Sequence, residues 1–233
     1  MISNLVLAFR ESLEAVLIVG IILTTLTRQN KQGLKPYVIV GALTGIIISI
    51  LAGAVLFLSA QGLEEETMEL FEGGMMLVAS GLIAYFVIWM AQQNQNISAS
   101  ITSSVSKTST GLGLAGLAFL GVFREGLELV IFTMANLSAQ ATDIALGTVS
   151  GIVLAVITGI LIFKSTVKLN LGWIFKGLGL VLIYIGAELL EEGLIKLIPS
   201  ASAIEDLVFF GYIIGALVIF FKTYRIRLVR KAG

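Results

Sequence analysis

Residues 7–18 read Leu-Ala-Phe-Arg10-Glu11-Ser12-Leu13-Glu14-Ala-Val-Leu-Ile, and residues 121–132 read Gly-Val-Phe-Arg124-Glu125-Gly126-Leu127-Glu128-Leu-Val-Ile-Phe. Each copy sets one Arg and two Glu in the middle of an apolar segment long enough to cross a bilayer, which takes about 20 residues. Charge at that depth is costly and by default marks a pathway or a binding site. Six membrane-centred charges at about 3 kcal/mol each give roughly 18 kcal/mol before pairing. That rivals the ~5–15 kcal/mol net stability of a typical fold. Salt bridges that only fixed helix register would be a poor reason for such a cost, since apolar replacement would avoid it. The two pentapeptides therefore point to a helical membrane protein with a polar site at mid-depth.

The rest of the chain agrees. Its 233 residues are 57% hydrophobic and 13% charged, with neither cysteine nor histidine. Disulfides, zinc fingers, haem attachment and histidine proton shuttles are excluded. Serine–histidine and zinc hydrolysis go with them, and no Asp lies centrally in a span, so the chain is expected not to be an enzyme. The first apolar segment does not read as a signal peptide, because Arg10, Glu11 and Glu14 fall in its core and no basic stretch precedes it.

Seven spans are expected, at about 3–27, 37–60, 69–91, 112–136, 143–165, 171–193 and 206–223. Charged, Gly and Pro residues supply the breaks at 28–36 and 61–68. Residues 92–111, rich in Gln, Asn, Ser and Thr, read as a flexible loop. With the N-terminus outside, the cytoplasmic side collects Arg28, Lys31, Lys35, Lys107, Lys164, Lys168, Lys176 and the basic cluster from Lys222 to Lys231. Only Lys196 is left outside, and Glu and Asp gather there instead. The positive-inside rule thus sets the N-terminus outside and the C-terminus in the cytoplasm. Trp89 and Trp173 read as anchors at the inner boundary.

The pentapeptides fall in spans 1 and 4, and Leu70-Phe71-Glu72-Gly73 of span 3 is echoed by Ile174-Phe175-Lys176-Gly177 of span 6 with the charge reversed. Three spans per copy force the second copy to cross in the opposite direction. The expected architecture is an all-α membrane protein with a 3+3 inverted repeat plus one helix: a single domain over 1–233, repeat 1 at about 1–92, repeat 2 at about 112–193 and the extra helix at about 206–223. Such duplication is a transporter signature, with the site at the repeat interface near the midplane.

On a helix, residues three and four apart share a face. Glu11 and Glu14 point one way, as do Glu125 and Glu128, while Arg10 reaches Glu14 and Arg124 reaches Glu128. At about 1.5 Å rise per residue both motifs sit near mid-depth, so antiparallel helices can gather four carboxylates there. With both arginines the ensemble carries a net charge of −2 when every group is ionised. An all-oxygen donor set favours hard cations over copper(I) or zinc. Two further Glu-x-x-Glu pairs, Glu69/Glu72 and Glu188/Glu191, lie towards the outer face and are candidate metal ligands that concentrate cations before entry. The small Ser12 and Gly126, with Gly41/Gly45 and Gly147/Gly151, suit close helix packing.

The duplicated Arg-Glu-(Ser/Gly)-Leu-Glu motif in spans 1 and 4 of a seven-span chain resembles the high-affinity iron permeases, the oxidase-dependent transporters of the fungal Ftr and bacterial EfeU type. The resemblance implies iron as transported substrate, with no permanently bound cofactor, handled by Glu11, Glu14, Glu125 and Glu128 with Arg10 and Arg124 in support. It makes Glu69/Glu72 an outer acidic element. Ser12 departs from the glycine of the fungal pattern. The chain also lacks the long tails of fungal members, which favours a prokaryotic plasma membrane. The resemblance further implies membrane lipid, an extracytoplasmic iron-oxidising or iron-delivering partner and room for a homo-oligomer, with no nucleic acid. A carrier of manganese or lead, or a non-transporting metal sensor, would use the same ligands.

Overall fold

The computed structural model describes residues 1–92, 97–108, 110–137, 139–164 and 171–232, and the side chains of 89–92, 97–100, 171–176 and 223–232 lie outside the description. Those of Trp89, Trp173 and Lys176 are therefore outside it, as are Lys168 and the basic side chains beyond Lys222.

Helix α1, Ile2–Arg28, ends where Asn30 turns to the left-handed region at φ 56°. A 3-10 turn at Gln32–Leu34 leads into α2, Lys35–Gln61. Pro36 falls in the first turn of α2, where its missing N–H costs no helical bond. Helix α3 is Glu65–Gln92 and opens with Glu65 and Glu66, which complement the positive end of its dipole. Then follow α4 at Ile97–Lys107, α5 at Gly111–Met134, α6 at Ala141–Lys164 and α7 at Leu171–Leu197. A 3-10 turn at Pro199–Ile204 precedes α8, Glu205–Ala232.

No strand occurs among the described residues, in keeping with an all-α membrane protein. Among them four helices, at Gln32–Gln61, Glu65–Ile88, Ala141–Lys164 and Pro199–Lys222, are long and apolar enough to cross a membrane. Helices α1, α5 and α7 have 27, 24 and 27 residues, also a crossing length, but α1 and α5 carry the charged pentapeptides and α7 carries Glu188, Glu191 and Glu192.

The helices form two compact units. The first gathers α1, α2, α4, α5 and α6. Within it α1 runs parallel to α6, and the contact is made at glycines. Gly147 faces the Met1 carbonyl and Asn4, Gly151 faces the Leu5 carbonyl and the Phe9 nitrogen, and Gly159 faces Val16. Helix α2 runs parallel to α5 in the same manner: Gly41 faces the Ala115 carbonyl, Gly45 faces the Phe119 carbonyl and the Phe123 nitrogen, and Gly53 faces Val130. The glycines of α2 and α6 share one spacing, four residues and then eight. A side chain at most of these positions would meet main-chain atoms of the neighbouring helix, so the small residues let α1 and α5 lie close against their carriers. Helices α1 and α5 oppose one another, with Ile18 against Gly121 and Arg10 near Glu128. At one end of this unit Ile22 and Leu26 of α1, Val38 and Ala42 of α2, Val105 of α4, and Leu114, Ala118 and Val122 of α5 form a buried apolar cluster.

Helix α4 corrects the sequence reading of 92–111 as a flexible loop. Residues 97–107 are helical and pack on α1, with Val105 buried and Ile101 beside the cluster. The polar composition hid it. Ser106 Oγ donates back along the helix to the Thr102 carbonyl at 2.9 Å, and in the sequence Ile97, Ile101 and Val105 recur every four residues.

The second unit holds α3, α7 and α8. Helices α3 and α7 are antiparallel and meet at a reciprocal pair of glycines, Gly73 against the Gly193 carbonyl and Gly193 against the Gly73 carbonyl. Ser80 Oγ donates to the Gly186 carbonyl at 2.7 Å, and Tyr212 of α8 donates to the Ser80 carbonyl at 3.2 Å. Lys196 Nζ donates to Glu72 Oε2 at 2.5 Å across α3 and α7.

Candidate ion-binding site

The antiparallel crossing of α1 and α5 turns the two pentapeptides towards each other. Carboxylate oxygens of Glu11, Glu125 and Glu128 lie within 4.8 Å of one another. Hard cations take oxygen ligands at about 2.0–2.6 Å, so one ion can touch all three carboxylates. Glu11 and Glu125 are buried to 1% and 3% side-chain exposure, and Glu128 to 15%. Glu11 Oε2 and Glu125 Oε2 are shut away from solvent without a hydrogen-bond partner. A buried acceptor left unsatisfied is expensive and calls for an explanation, an ion among them.

Glu14, grouped with these three from its spacing, lies beside Arg10 on α1. Its Oε1 lies 3.2 Å from Arg10 Nη2. Arg10 also pairs with Glu11 and lies 3.9 Å from Glu128 Oε2, so one buried guanidinium ties α1 to α5. Arg124 Nε donates to Glu128 Oε1 at 3.0 Å and lies 4.0 Å from Glu125 Oε1. Both four-residue Arg–Glu pairs follow the helical spacing. The differing burial does not: Arg10 is 1% exposed and Arg124 58%.

Helix α2 sets the position of the second motif through a residue that sequence reasoning missed. Ser49, buried on α2, lies directly against Gly126 and places its Oγ 2.9 Å from the Gly45 carbonyl and 3.4 Å from that of Phe123. In the first motif the sizes are arranged differently. Gly151 faces Ala8 and Gly159 faces Val16, which puts Ser12 level with Ala155 on α6. The glycine spacing shared by α2 and α6, with Ser49 and Ala155 at equivalent places in it, was the available signal.

The acidic residues that the sequence reading assigns to the outer face, Glu69, Glu72, Glu188 and Glu191, belong to the second unit. Glu72 is buried and paired with Lys196, Glu69 is exposed, and Glu188 and Glu191 are partly exposed on α7. The Glu72–Lys196 pair joins residues 124 apart in the chain, and no local pattern announces it.

The site is thus a cluster of carboxylates with two arginines, held between helices of an all-α membrane protein. The family model described as the iron permease FTR1 family matches residues 1–212, and the chain belongs to that family. It is 29% identical over 187 residues to a ferrous iron permease EfeU of Yersinia pestis, covering 78% of this chain and 66% of that protein. It is 30% identical over 189 residues to the ferrous iron permease EfeU of Escherichia coli O6:H1, covering 77% and 67%. A protein of Archaeoglobus fulgidus is 26% identical over 196 residues, covering 83% and 69%. The chain thus spans about two thirds of the length of these relatives. No solved structure matches it.

Proposed function

We propose that this protein carries iron across the plasma membrane of a prokaryote, and that the ion passes through the carboxylates of Glu11, Glu125 and Glu128. Glu14 and the two arginines balance and brace them. The observation that carries the proposal is the convergence of three buried glutamates from two copies of one pentapeptide. Family membership supports iron as the cargo, and the names of the EfeU relatives favour the ferrous ion. A site of net charge −2 when fully ionised matches a divalent cation.

The protein is proposed to span the membrane seven times, with its N-terminus outside and its C-terminus in the cytoplasm, as a 3+3 inverted repeat plus one helix in a single domain. Three features of the first unit support the repeat: the opposed α1 and α5, the parallel pairs α1–α6 and α2–α5, and the shared glycine spacing of α2 and α6. On this reading each motif helix rests on the second helix of the other repeat. Glu69, Glu72, Glu188 and Glu191 are proposed to draw cations to the outer face. An extracytoplasmic partner would supply any oxidation step, since the sequence has no cysteine or histidine with which to build a redox metal centre.

The experiment is radio-iron flux into proteoliposomes, with Fe²⁺ and Fe³⁺ supplied separately. Wild-type protein is expected to transport, and the Glu125→Gln/Glu128→Gln variant to lose transport while still inserting. Undiminished uptake by that variant would end the proposal. The all-oxygen donor set also suits manganese, and competition by Mn²⁺ in the same vesicles tests that reading.

A further inference from the structure

The two pentapeptides differ in one residue, Ser12 against Gly126, yet the fold gives their arginines opposite surroundings. Arg10 is 1% exposed and reaches carboxylates of both motifs: Glu11, Glu14 and Glu128. Arg124 is 58% exposed, and its ion pairs within 4.0 Å among the described residues are to Glu125 and Glu128 of its own helix. A guanidinium in the middle of an apolar helix is not left facing hydrocarbon. The exposed flank of Arg124 therefore marks the side from which water and ions approach the cluster. An ion pair with one exposed member is weak and readily exchanged, whereas removing one partner from a buried pair strands the other. Glu128 stands between the two kinds, its Oε1 held by Arg124 at 3.0 Å and its Oε2 3.9 Å from Arg10. It is also one of the three carboxylates that converge.

We propose that Arg124 is a displaceable counter-ion, capping Glu128 between transport events and swinging aside when a hard divalent cation takes that carboxylate, while Arg10 stays in place as a fixed strut. The inference rests on the carboxylate site proposed above and assigns unequal roles to two arginines that the sequence presents as equivalent. It has a distinctive consequence. Arg124 competes with the cation, so removing it tightens binding and slows release. A residue that only held the helix together would weaken binding when lost.

The test measures anaerobic Fe²⁺ binding to purified protein in detergent and Fe²⁺ flux in proteoliposomes. Arg124→Gln is expected to lower the Fe²⁺ dissociation constant about ten-fold, since one unit of nearby positive charge is removed, and to lower maximal flux by a similar factor. Arg124→Lys keeps the charge and is expected to stay within about two-fold of wild type in both readouts. A second measurement needs no variant. Wild-type protein treated with a 1,2-dicarbonyl reagent and mapped by peptide mass spectrometry is expected to react at Arg124, faster with Fe²⁺ present, and to remain unmodified at Arg10. If wild-type protein binds Fe²⁺ but Arg124→Gln binds it equally or more weakly, or if Fe²⁺ leaves the reaction at Arg124 unchanged, the displaceable role is wrong. If wild-type protein binds no iron at all, the carboxylate site falls, and this inference with it.

Discussion

Gly126→Ala probes the packing that brings the two motifs together. A Cβ built on Gly126 lies 2.6 Å from Ser49 Cβ and closer still to its Oγ. Carbon atoms in contact prefer about 3.5–4.0 Å, so α5 would have to retreat from α2 by about 1 Å. Rotating the Ser49 hydroxyl cannot relieve the clash, because Cβ is fixed by the backbone of α2. Overpacking of this kind costs about 1–3 kcal/mol, and the better helix propensity of Ala returns up to about 1 kcal/mol. At about 2–4 °C per kcal/mol for a chain of this size, a net loss of about 1–2 kcal/mol lowers the melting temperature by about 2–8 °C. Glu125 and Glu128 lie on the other side of α5 from Gly126, so the same displacement alters their position against Glu11. Three oxygens within 4.8 Å of one another suit bonds of about 2.0–2.6 Å to one ion, and a shift of about 1 Å disturbs that fit, so flux should fall as well. The assay is tryptophan fluorescence melting in detergent together with iron flux. Ser49→Gly added to Gly126→Ala is expected to restore both. Gly116→Ala on the same helix meets nothing within 4 Å and is expected to raise the melting temperature slightly. Wild-type melting and flux for Gly126→Ala, or no rescue by Ser49→Gly, would refute the argument.

Lys196→Ala leaves Glu72, 4% exposed, without its ammonium partner; allowing for the 26% exposure of Lys196, the expected loss is about 2 kcal/mol, partly recovered by adding Glu72→Gln and read as a melting shift. Gly151→Ala places a Cβ 2.5 Å from the Leu5 carbonyl oxygen and 2.8 Å from the Phe9 nitrogen. Both are main-chain atoms that no second truncation can remove, so its yield of monodisperse protein on size exclusion should fall below that of Gly126→Ala. Tyr212→Phe removes the hydroxyl that donates to the Ser80 carbonyl; a melting loss of about 2–4 °C is expected, equivalent to about 1 kcal/mol, with iron flux unchanged.

Much of this was legible in the sequence because it rests on local periodicity. Apolar run length and the charged, Gly and Pro breaks gave the long helices, and spacing four apart gave the Arg10–Glu14 and Arg124–Glu128 pairs. What stayed hidden depends on which helix faces which. Arg10 pairs with Glu11 and Glu14 of its own helix and also approaches Glu128 of the other motif, a cross-helix contact that spacing within one helix does not reveal. The unequal burial of Arg10 and Arg124 has no signature in two nearly identical pentapeptides. The α4 stripe of Ile97, Ile101 and Val105 was present, but Ser and Thr around it resembled a loop. The glycines of α2 and α6 were seen as packing residues, while their equal spacing, which puts Ser49 against the second motif, became meaningful only once α2 lay beside α5.

The central claim is that Glu11 and Glu125, drawn from opposed copies of one motif, hold the transported ion jointly. Equilibrium dialysis of Fe²⁺ against purified protein, kept anaerobic, tests it most directly. The account predicts one tightly bound ion per wild-type chain and none for a Glu11→Gln/Glu125→Gln variant that melts normally. Stoichiometric, undiminished binding by that folded variant would contradict it.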